Sequence, residues 1–135
     1  MMNILVVDDE TDVRDALRRV LVRAGFAVRC TGNGAEALEE IRRAGADIVI
    51  TDIIMPGLDG VETIGTIRAE FPAVHIIAIS GGGNFGDGAY QPTAITTSAY
   101  LAAANKAGAD QVLTKPFETA DLLKAIGRSS SIGNA

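Results

Sequence analysis

The stretch Ile4-Leu5-Val6-Val7-Asp8-Asp9-Glu10 sets four consecutive apolar side chains against three consecutive acids. An apolar run with no polar alternation is the pattern of a strand covered on both faces, as in a parallel sheet packed between helices. The pattern returns downstream. Ile48-Val49-Ile50-Thr51 ends at Asp52, the run from Val74 to Ile79 ends at Ser80, and the shorter Val112-Leu113-Thr114 ends at Lys115-Pro116. Phe26-Ala27-Val28-Arg29-Cys30 reads as a further, less apolar strand.

Stretches of helical period lie between these runs. Thr11 is a candidate cap for a helix with Val13, Ala16, Leu17, Val20, Leu21 and Ala24 on one stripe, and Gly25 is its stop. Asn33 opens a second helix that turns Ala37, Leu38, Ile41 and Ala44 inward before Gly45. A third runs from about Val61 to Glu70 with Ile64 and Ile67 inward, a fourth spans about Thr97 to Ala107, and a fifth carries Leu122, Leu123 and Ile126. Five strands alternating with five helices predict an α/β domain. The sheet is expected to be doubly wound, parallel and five-stranded, with helices on both faces and a flavodoxin-like strand order 2-1-3-4-5. The domain is read as residues 1–128, with an insertion at about 81–96 and a disordered tail at 129–135.

The chain of 135 residues is 47% hydrophobic and 21% charged, which excludes disorder over most of its length. Seventeen acids against twelve bases give a net charge of −5, so no nucleic-acid partner is expected, because phosphate contact needs a basic face. No apolar run approaches the roughly 18 residues of a membrane span, and no membrane partner is expected. The opening residues lack the basic region and cleavage site of a signal peptide. Cys30 is the single cysteine, so a cytoplasmic location follows as the expectation. Cys30 itself reads as a small hydrophobe, and His75, the single histidine, as a structural or surface residue.

In open α/β sheets the functional crevice lies beyond the carboxyl ends of the strands. Those ends carry Asp8 and Asp9, Asp52, Ser80 and Lys115, so three carboxylates, a hydroxyl and an ammonium converge on one rim. Two carboxylates ~6 Å apart repel by about 3 kcal/mol at an effective dielectric of ~20, and a cation relieves this. An all-oxygen carboxylate cluster suits a hard ion, Mg²⁺ first. One carboxylate is then available as a nucleophile toward a phosphoryl group, with the Lys115 ammonium on the transferring oxygens and the Ser80 hydroxyl beside them.

The motifs VVDDE (residues 6–10), TDIIMPGLDG (51–60), the serine ending the fourth strand and LTKPF (113–117) resemble the receiver domain of two-component response regulators, over roughly residues 3–127. The resemblance implies that Asp52 accepts a phosphoryl group from a histidine kinase or histidine phosphotransfer protein. It implies that Asp9 ligates Mg²⁺ directly and Asp8 mainly through water, with Asp52 and the Ile54 backbone carbonyl completing the set. Lys115 would pair with the phosphoryl oxygens, and Ser80 and Gly81 would carry the switch. The Lys115-Pro116 bond would be the family's cis peptide, accessible to a tertiary amide. Such a chain is no conventional enzyme; it would catalyse only its own phosphorylation and slow dephosphorylation. The residues after Thr114 leave no space for a DNA-binding helix-turn-helix, so a stand-alone module, monomeric or weakly dimeric, acting on a downstream protein target is expected.

Three departures from the family pattern bear on mechanism. The stretch from Ser80 to Lys115 is long, and the expectation is that the glycine-rich insertion takes over signal readout through Phe85, Tyr90 or Tyr100. Val112 stands where the family usually has an aromatic ring that rotates on phosphorylation. Ile54 and Gly82 offer no group to orient an attacking water, so the aspartyl phosphate is expected to be long-lived. Gly81, Gly83 and Gly86 match G-x-G-x-x-G, but Gly88 and Pro92 break the helix that a dinucleotide fingerprint should open. A Mg²⁺-dependent hydrolase would need a second acid near Asp52, which Ile53-Ile54 does not supply. A degenerate receiver acting as a phosphorylation-independent interaction module is the alternative, and the full set of Asp8, Asp9, Asp52, Ser80 and Lys115 argues against it.

Overall fold

The computed structural model describes residues 2–53, 60–80, 102–114 and 118–133. Five strands, β1 (Asn3–Val7), β2 (Ala27–Thr31), β3 (Ile48–Asp52), β4 (His75–Ser80) and β5 (Gln111–Thr114), form one parallel sheet in the order β2-β1-β3-β4-β5. The helices are α1 (Thr11–Arg23), α2 (Gly34–Ala44), α3 (Gly60–Glu70), a segment α4 described over residues 102–107, and α5 (Thr119–Gly133). The doubly wound, flavodoxin-like order expected from the alternating runs is the one observed.

The unbroken apolar runs follow from the two covered faces. Alternate side chains of one strand go to opposite sides of the sheet. Leu5, Val7, Val49, Ile76 and Ala78 pack with Ala37, Leu38 and Ile41 of α2, Ile64 and Ile67 of α3 and Ala104 of α4. Their neighbours Ile4, Val6, Ile48, Ile50, Ile77 and Ile79 pack with Leu17 and Leu21 of α1 and Leu122, Ala125 and Ile126 of α5. The edge strand β2 is only half-buried throughout, which accounts for its more polar sequence.

Helix ends follow local chemistry in part. Asn33 caps α2, its side chain accepting from the Glu36 amide at 2.9 Å. Thr11 does not cap α1: it is the first helical residue, and the extended Glu10 holds the cap position with no side-chain cap bond. The Asp8 carboxylate binds the Glu10 amide instead, at 2.9 Å, taking over local satisfaction of the helix start. At the other end of the chain α5 runs from Thr119 to Gly133. Serine has only a modest helix penalty, and a formed helix adds one hydrogen bond per residue as it propagates.

At the amino end of the sheet, Arg68 of α3 donates to the carbonyls of Pro72, Val74 and Gly108 and pairs with Asp110, fastening α3 to the approaches of β4 and β5. Gly108 has φ +127°, and a Cβ there would lie 2.9 Å from Arg68 Cβ, so glycine serves both the conformation and the contact. His75 sits in this cluster, far from Ser80 at the other end of β4. Its Nε2 lies 2.8 Å from the Gln111 amide nitrogen, which also donates to the Ala125 carbonyl at 2.9 Å. An amide nitrogen carries only hydrogens, so His75 Nε2 accepts and the ring is neutral. Burial lowers the His75 pKa from its ordinary 6.5, opposed by Asp110, whose carboxylate is 3.6 Å from Nδ1. A folded-state pKa below the unfolded value makes the stability contribution complete above pH ~6.5 and lost as pH falls through that value toward the folded one. Urea midpoints compared between about pH 7.5 and about pH 5 should therefore fall more steeply in the wild type than in His75→Gln; equal slopes would remove His75 from the account.

Candidate functional site

Parallel register brings the carboxyl ends of the strands to one edge. Val7 pairs with Thr31 and Thr51, Asp52 with Ile79, and Ser80 with Thr114. Asp8 and Asp52, each the residue after a paired Val7–Thr51 position, therefore stand on adjacent strand ends, about one strand spacing of ~4.8 Å apart. Both are buried, Asp8 with 1% and Asp52 with 7% of its surface exposed. Asp9 and Glu10 are exposed at the rim. Carboxylate oxygens of Asp8, Asp9 and Glu10 lie within 4.8 Å of one another. Carboxylates are almost never fully buried unless paired or bound to a cation, and this donor set is all oxygen, which fits a hard divalent ion. Glu10 was not among the site residues expected from sequence, although it completes the same acidic run.

The backbone that carries Asp52 is held from three directions. The buried Thr51 hydroxyl donates to the Asp52 carbonyl at 3.0 Å, the Ile53 amide to the Ile79 carbonyl at 2.9 Å, and the Gly60 amide to the Ile53 carbonyl at 3.1 Å. Gly60, the first residue of α3, presses on this segment directly. A Cβ at Gly60 would lie 2.3 Å from the Ile53 carbonyl oxygen and 2.6 Å from that of Asp52. In the sequence Gly60 is only the last residue of TDIIMPGLDG; the approach of α3 to the β3 end depends on folding, and the one local signal is a glycine eight residues after Asp52.

Of the other residues expected at the site, Ser80 is the last residue of β4 and Val112 lies on the edge strand β5, 36% exposed. Ile54, Gly81, Lys115 and Pro116 fall outside the described residues, as does the insertion at about 81–96. Cys30 is half-buried in β2, and its burial raises the thiol pKa, in keeping with an inert small hydrophobe.

Residues 4–127 match the family described as the response regulator receiver domain. The chain belongs to that family. The receiver is 34% identical over 127 residues to the DNA-binding transcriptional regulator NtrC of Bradyrhizobium sp. (strain RP501 Parasponia), covering 94% of this chain and 24% of that protein. It is 35% identical over 125 residues to the response regulator MprA of Mycobacterium leprae, covering 93% of this chain and 49% of that one. The receiver thus spans a quarter to a half of the length of these relatives. Among solved structures it resembles a receiver domain protein from Clostridium thermocellum at TM-score 0.80 and 29% identity, over 99% of this chain and 98% of that one. NtrX from Brucella abortus matches at TM-score 0.83 and 28% identity, over 98% of this chain and 27% of that one. Among the described residues, no helix is long and apolar enough to cross a membrane.

Forcing a methyl group between Gly60 and the Asp52–Ile53 backbone should cost about 1–3 kcal/mol, the usual penalty of overpacking. Gly60→Ala is expected to lower the urea unfolding free energy by that amount, whereas Gly65→Ala, with open space at its Cβ, should not. Equal stability of the two variants would contradict the close approach.

Proposed function

We propose that the receiver accepts a phosphoryl group on the Asp52 carboxylate from the phosphohistidine of a histidine kinase or histidine phosphotransfer protein. A Mg²⁺ ion would be held by Asp8, Asp9, Asp52 and the Ile54 carbonyl. The observation that carries this reading is the buried Asp52 at the end of β3, one strand from the Asp8-Asp9-Glu10 cluster. Bound there, the ion would supply neutralisation of charge between the carboxylates and the incoming phosphoryl oxygens. One Asp52 oxygen forms the new bond to phosphorus while the phosphorus–nitrogen bond of the donor breaks, and the donor imidazole keeps that electron pair and takes up a proton. The fixed Asp52 backbone aims the nucleophile, which is the positional part of phosphoryl-transfer catalysis. Lys115 pairs with the phosphoryl oxygens, and Ser80 with Gly81 responds to their arrival and passes the change to a downstream protein target.

Incubation of the wild type with a small phosphodonor and Mg²⁺ should label the protein, and Asp52→Asn should reduce the label to background. No label in the wild type would leave the phosphorylation-independent interaction module as the better reading, and persistent label in the variant would move the acceptor. With Ile54 two residues after Asp52 and no side-chain group to orient water, the phosphoprotein should be long-lived; Ile54→Asn should shorten its lifetime by about tenfold or more. An unchanged lifetime would contradict that explanation.

A further inference from the structure

The acidic turn after β1 is fastened by a residue that apolar periodicity and motif spacing do not single out. Arg14 of α1 donates from Nη1 to the Asp8 carbonyl oxygen at 2.8 Å and from Nη2 to the Thr11 hydroxyl at 3.2 Å. Asp8 also donates its amide to the Thr31 carbonyl at 3.2 Å and accepts the Glu10 amide on Oδ1 at 2.9 Å. Its amide, its carbonyl and one carboxylate oxygen are therefore each engaged, and Arg14 supplies the contact from the helix side. Behind the guanidinium stands Gly32, where a Cβ would lie 3.0 Å from Arg14 Nη1. Gly32 is not among the glycines with positive φ, so its lack of a side chain serves space and not backbone conformation.

We propose that Arg14 is a positioning residue for the cation site of the acidic turn, and that Gly32 keeps open the space its guanidinium occupies. The inference rests on the Mg²⁺ reading of Asp8 and Asp9 given above. Charge and geometry make opposite demands here. A guanidinium near a cation site weakens cation binding by repulsion, so its removal by charge alone would tighten Mg²⁺. If Arg14 acts by holding the Asp8 turn, its removal loosens the ligands and weakens Mg²⁺, by about tenfold on the scale of lost support behind metal ligands.

The test is a Mg²⁺ titration of the whole chain followed by the backbone amide signals of residues 8–10, for wild type, Arg14→Met, Arg14→Lys and Gly32→Ala, with thermal melting alongside. The expected result is a Mg²⁺ Kd about tenfold weaker in Arg14→Met. Arg14→Lys, which keeps the charge and loses the fork, should stay weakened, and Gly32→Ala should shift in the same direction with its Tm unchanged. Gly32→Ala tests the proposal even if the Arg14 variants fold poorly, because the clash falls on the movable end of a side chain. Unchanged or tighter binding in Arg14→Met and Gly32→Ala, with the wild type binding Mg²⁺, would overturn the role of Arg14 alone. Absence of any Mg²⁺ response in the wild type would overturn the metal reading and this inference with it.

Discussion

Two carboxylates that ought to repel, Asp8 and Asp52, are buried on neighbouring ends of a sheet whose interior is mostly aliphatic. Burying charge is unfavourable unless something of opposite sign or strong hydrogen bonding compensates it. The rest of the structure is arranged around that constraint. Parallel register carries both acids to the same edge, and apolar cores on the two faces leave the strands little freedom to slide. A one-residue slip would turn every side chain of a strand to the wrong face. The two apolar cores thus hold both acids at one edge of the sheet.

Much of the fold was legible because its signals are local. Ile4 to Val7 and Ile48 to Thr51 could be unbroken only if both faces were covered, and the alternation of such runs with helical stripes admits few topologies. Asn33 and the positive-φ glycines Gly25, Gly45 and Gly108 mark helix ends by chemistry that acts within a few residues. The start of α1 went the other way. Thr11 is a good cap by type, yet the Glu10 amide turns to the Asp8 carboxylate two residues back, within the acidic run that also builds the site.

What the site needed beyond its acids was hidden in long-range contacts. Gly60 looks like turn chemistry until α3 is seated against the Asp52–Ile53 backbone, where no Cβ fits. Arg14 looks like one of several exposed charges on α1 until its guanidinium is found on the Asp8 carbonyl. Gly32 has neither a positive φ nor a motif to announce it, and only the position of Arg14 gives its missing side chain a purpose.

The nucleophilic role proposed for Asp52 can be read chemically at one atom. An aspartyl phosphate, unlike a free carboxylate or a phosphate ester, is reduced by borohydride to homoserine. Treatment of the phosphodonor-exposed protein with borohydride, followed by peptide mass spectrometry, should convert residue 52 alone, and only when Mg²⁺ was present. Conversion at Asp8, Asp9 or any other acid in place of Asp52, or conversion independent of Mg²⁺, would contradict the account.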